Sequence, residues 1–145
     1  MENKNRLNNI NLLIFGLILF LSYPLHSKSN IDSLKNLLVE VEGEEKVEVL
    51  LDITYDYRSK SKDSALNYSQ KALELAMEIG KHELIGDSYI KVAISQAELS
   101  NNSDAVISFN KALIKYKELN DLKGQGIALN GLGRVCRYVG SFKLA

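Results

Sequence analysis

The chain has a single cysteine, Cys136, in 145 residues. One thiol cannot form an internal disulfide, and a CxxC redox pair or a cysteine-rich metal site is excluded within this chain. It has one proline, Pro24, which lies near the N-terminus. Proline in a helix interior costs roughly 3 kcal/mol, so the near absence of proline suits an all-helical fold. Charge of one sign is also missing. Lysine plus arginine and aspartate plus glutamate stand at 18 each. No basic excess is available to neutralise phosphates, so nucleic acid is excluded as a partner.

The only long apolar run lies at the start. Lys4 and Arg6 precede an almost unbroken apolar stretch from Ile10 to Leu21. Basic residues followed by a short apolar run have the pattern of a secretory signal peptide. About 12 residues rise about 18 Å as a helix, against a bilayer core of about 30 Å. Pro24 then breaks the helix, and Ser27 is a small residue suited to cleavage. Residues 1–27 are therefore expected to be a signal peptide, with an uncleaved N-terminal anchor as the alternative. Taking away Lys4, Arg6 and Glu2 leaves 16 basic and 17 acidic residues, so the exported part stays near neutral.

What remains is periodic. A shift of 40 residues lays Ala65 on Ala105 and Ala105 on Ala145, Lys71-Ala72-Leu73 on Lys111-Ala112-Leu113, and Gly86 on Gly126. Ala65, Ser69, Ala72, Leu73, Ala76 and Ile79 share one helix face, and so do Ala105, Phe109, Ala112, Leu113, Tyr116 and Leu119. Ser64 and Asp104 stand in front of these helices as N-cap candidates. Each is preceded by another helix. One presents Tyr89, Val92, Ala93, Gln96 and Leu99; the next presents Leu129, Leu132, Gly133, Cys136 and Val139. Ser100 to Ser103 and Gly140-Ser141 are expected turns, with a longer polar link between repeats. Small residues (Ala72, Ala93, Ala105, Ala112, Gly133) mark close helix approaches. Ile31, Leu34, Leu37, Leu38 and Val41 predict a leading helix over residues 28–43, stopped by Gly43. Residues 44–145 hold the repeats, which stack because a single pair cannot bury its apolar face. Ala145 falls at the first core position of a second helix, so the last repeat is expected to be truncated and the sequence a fragment.

Leu129 and Leu132-Gly133, Tyr89 and Val92-Ala93, and then Ala105, Phe109 and Ala112 resemble the tetratricopeptide repeat (TPR), with Cys136 and Gln96 departing from it at the aromatic position of the first helix and Ser69 at that of the second. The resemblance implies an all-α, right-handed α-solenoid of antiparallel helix pairs. It also implies that the first helix of each pair lines a concave surface that binds protein or peptide. The residues placed there are Leu51, Tyr55, Ile90, Ile94, Asn130, Arg134, Arg137 and Tyr138. Two guanidiniums one helical turn apart suit a carboxylate, and the apolar remainder suits an amphipathic segment. The opening, from Ile31 to Leu38, Val47 to Arg58 and Ala65 to Ala76, is similar to the exported TPR regions of bacterial sensor histidine kinases. That similarity implies a sensory or dimerisation role outside the cytoplasm, ahead of a downstream membrane span and kinase. A free-standing secreted or periplasmic scaffold for envelope assembly is the alternative.

No catalytic set converges. His82 has no second ligand nearby, and Cys136 reads as a packed core residue. Gly124-x-Gly126 and Gly131-x-Gly133 lack the preceding strand of a phosphate loop. No catalytic, metal or cofactor residues are therefore expected.

Overall fold

A computed structural model describes residues 31–143. The expected signal peptide lies outside them, as does Ala145. Six helices follow one another: α1 (Ile31–Glu40), α2 (Gly43–Tyr57), α3 (Lys62–Ile79), α4 (His82–Glu98), α5 (Asn102–Glu118) and α6 (Leu122–Lys143). There is no strand among the described residues.

Each helix packs on the next, and α2 also meets α4, as α4 meets α6. The first helices of the pairs thus form one layer, and α3 and α5 form the other. The main core runs through this stack from Val47 and Leu50 through Ala72, Ala76, Tyr89 and Ala93 to Ala112, Tyr116 and Val135. A second cluster of Val41, Val49 and Ile53 lies under Leu34 and Leu38 of α1. The leading helix therefore covers the open end of the first pair, which would otherwise expose this apolar face.

Turn chemistry fixes the reversals. Gly80 closes α3 at φ 78°, Ser100 follows α4 at φ 64°, and Asn120 follows α5 at φ 54°. Asn101 N–H donates to Gln96 O and Asp121 N–H to Tyr116 O, both at 2.9 Å, so the last carbonyls are satisfied in Schellman fashion. Ser61, not Ser64, caps α3: its Oγ accepts from Ser64 N–H at 3.3 Å. Asp104 lies within the first turn of α5, where its charge complements the dipole without capping. Asp121 caps α6 by accepting from Gly124 N–H at 3.0 Å.

Four expectations are corrected. The longer link does not exist, because α4 begins at His82 after only Gly80 and Lys81; the polar residues there form its exposed first turn. Residues 140–141 continue α6 instead of turning. Gly140 does not take the positive φ of a helix-ending glycine, as Gly80 does, so the helix runs on through it. The buried side of α6 is Gly124, Ala128 and Val135, with Leu132 half-buried, leaving Leu129, Cys136 and Val139 exposed. The close approaches on α6 are Gly124 and Gly131, not Gly133. A Cβ on Gly131 would lie 2.2 Å from Phe109 Cε1, and one on Gly124 2.3 Å from Tyr116 Cδ1, whereas Gly133 has nothing within 4 Å.

Candidate functional site: a groove between α4 and α6

The α4 and α6 layer leaves an open groove of about 1010 Å³ over the start of α5. Ile90, Ile94, Ala97 and Glu98 form one wall, Asn102 and Phe109 the floor, and Lys123, Gly126, Ile127, Asn130, Arg134, Arg137 and Tyr138 the other wall. Gly126 has no heavy atom within 4 Å of the position a Cβ would take, so the missing side chain helps keep the groove open. Ile127 and Tyr138 remain about half exposed, at 47% and 49%.

Charge is uneven across the groove. Glu98, the only acidic residue among the described residues that line it, is engaged by Arg58 of α2, whose Nε donates to Oε1 at 2.9 Å while Nη2 donates to the same oxygen. That hydrogen bond raises the Arg58 pKa above its ordinary value. Lys62 Nζ donates to the Glu98 backbone carbonyl at 2.8 Å, tying α3 to the end of α4. Among the described residues, Lys123, Arg134 and Arg137 have no acidic partner. The groove is therefore apolar at its base and basic along α6.

Six of the eight residues expected on the concave surface line this groove: Ile90, Ile94, Asn130, Arg134, Arg137 and Tyr138. Leu51 and Tyr55 do not. Leu51 is buried in the main core, because α2 is covered on both sides by its neighbours. Tyr55 is exposed further along the same layer, with Lys91 Nζ 6.0 Å from its ring centroid. Sequence reasoning missed Lys123, Ile127 and Asn102. Spacing carried a signal for two of them: Lys123, Ile127, Asn130, Arg134 and Arg137 recur at the 4- and 3-residue steps of one helix face. Asn102 gives no such signal, since a turn-flanking asparagine resembles any other.

The remaining polar pairs are structural. Tyr116 Oη donates to Asp87 Oδ1 at 2.6 Å, and burial, then this hydrogen bond, push the phenol pKa up. The hydroxyl thus stays protonated and bolts α5 to α4. His82 Nδ1 lies 3.1 Å from Glu118 Oε2 at the surface. Among the described residues, no group of three His, Cys, Asp or Glu side chains could hold a metal ion. None of the described helices is long and apolar enough to cross a membrane.

Stacked antiparallel helix pairs with a 40-residue period and a grooved inner layer define a TPR-type helical repeat, a class of protein-binding scaffold. More narrowly, residues 22–125 match the family model described as the SusR N-terminal TPR domain, and the chain belongs to that family. The match begins inside the expected signal segment and ends early in α6, before Arg134 and Arg137. No curated protein matches the chain.

Proposed function

We propose that the chain is a non-catalytic scaffold whose α4–α6 groove receives protein, as the exported sensory or dimerisation region of a longer signalling protein. The observation that carries the reading is the groove itself: an inner helix layer with half-exposed Ile127 and Tyr138 beside cations that lack acidic partners among the described residues. An apolar base with a polar wall is the arrangement that holds a peptide segment. The family description, an N-terminal domain, agrees with further sequence downstream in such proteins. Export rests on the basic and apolar start of the chain. A free-standing envelope scaffold shares the groove and differs only in having no downstream span.

Photo-crosslinking tests the groove. A benzoylphenylalanine at Ile94 or Ile127 should trap the same polypeptide, whereas Ile107 and Ile114, exposed on α5 outside the groove, should not. Equal trapping at all four positions would reject it. Export has a separate readout. Cys136 is exposed and is the sole cysteine, so a membrane-impermeant maleimide should label the chain without lysis of the inner membrane. Labelling only after lysis would place the repeats inside the cytoplasm.

A further inference from the structure

We propose that the groove takes the acidic α1–α2 turn of a second copy of this chain. The inference rests on the groove being a protein-binding surface and names the partner. Glu40, Glu42, Glu44, Glu45 and Glu48 crowd the turn between α1 and α2, and all are exposed. Glu44 is held by Lys81 at 2.6 Å. Glu40, Glu42 and Glu45 have no basic partner among the described residues. At the other end of the stack, residues 122–143 contain no acidic residue at all. Four carboxylates without basic partners among the described residues, Glu48 included, thus face the chemistry of three cations without acidic partners there: Lys123, Arg134 and Arg137.

Shape and polarity agree with charge. The turn is short, with Glu42 in extended backbone at φ −133°. It also carries Val39, which is 85% exposed and supplies an apolar contact for Ile94 and Ile127. A chain cannot fill its own groove this way. α1 packs only on α2, while the groove is built by α4, α5 and α6. The turn must come from another molecule. Two copies inserting reciprocally make a closed dimer, whereas one-way insertion makes an open row. The chain has no net charge, so the attraction comes from the separation of charge between its ends. A contact made by one turn is small, and small interfaces are weak and transient. Exposed ion pairs are also screened by salt, with a Debye length of about 8 Å at physiological ionic strength.

Sedimentation of the chain at low and high salt tests this. The expected result is concentration-dependent self-association at low salt that falls as salt rises. R134E/R137E alone and E42K/E45K alone should each weaken association at least about tenfold, and the four changes together should restore most of it. Lys117→Glu, exposed on α5, is the control and should change little. Circular dichroism of each variant confirms that the helices persist, which surface positions permit. A wild-type chain that stays monomeric up to about 1 mM at low salt overturns the proposal, as does failure of the charge swap to restore association. If that monomeric chain still yields groove crosslinks to another polypeptide, the second-copy assignment fails while the protein-binding reading stands. If it yields none, both fail.

Discussion

Tyr116→Ala is expected to cost about 3–5 kcal/mol in urea denaturation, the range for removing a buried aromatic ring. The ring is 2% exposed and lies against Gly86 and Gly124, with its hydroxyl on Asp87. Truncation leaves a cavity between α4, α5 and α6 and strips Asp87 of its donor. Tyr116→Phe removes the hydroxyl alone and should cost about 0.5–1.5 kcal/mol. The repeat itself suggests how to compensate the larger change. Forty residues earlier the corresponding positions hold Ala76 and Leu84, both buried. One copy therefore places a small residue on the second helix and a large one on the next, and the other copy reverses the two. Gly124→Leu alone should overpack the site by at least about 1–3 kcal/mol. Combined with Tyr116→Ala it reproduces the first-copy pair, and the double variant should lose at least about 1 kcal/mol less than the two single losses added together. Strict additivity would show that the two positions do not share a space.

The second large effect separates two glycines two residues apart. Gly131→Ala puts a methyl group 2.2 Å from Phe109 Cε1, and Phe109 is a core ring only 3% exposed. The ring must leave its packed position or the helices must part, at about 1–3 kcal/mol. Gly133→Ala meets nothing within 4 Å. Within a helix it should stabilise by about 0.5–1 kcal/mol, because alanine loses less backbone entropy on folding. Thermal melts of the two variants should therefore move in opposite directions. A loss of stability in Gly133→Ala as large as that in Gly131→Ala would contradict the packing described for α6.

These residues also show what the sequence could and could not reveal. Helix faces in α3, α4 and α5 were legible because Ala65, Ala72, Ala93, Ala105 and Ala112 recur at helical spacing and at the repeat period. All five are fully buried. The face of α6 was not legible, because two apolar sets run along it. Leu129, Cys136 and Val139 form one stripe; Gly124, Ala128 and Val135 form the other, and glycine carries no hydrophobic signal. Only the aromatic partners on α5 explain why the glycines face inward. Helix starts were misplaced for a related reason: His82 and Glu83 are polar and exposed, so their helical turn looks like a link. At the groove, the arginine pair was visible from spacing. Burial of Leu51 was not, because it depends on α2 being sandwiched between neighbours.

Two independent features support the groove as the working surface. Ile127 and Tyr138 are about half exposed, and its cations lack acidic partners among the described residues. Ile90, Phe109 and Val135 at its base belong to the main core, whereas Ile127, Tyr138 and the three cations lie outside it.

Hydrogen exchange of the chain with and without the polypeptide trapped at Ile94 tests the central claim most directly. Binding in the groove predicts slower exchange in residues 90–98 of α4 and 123–138 of α6, with residues 62–79 of α3 unchanged. Protection confined to α3 and the outer side of α5, with α4 and α6 unaffected, would contradict it.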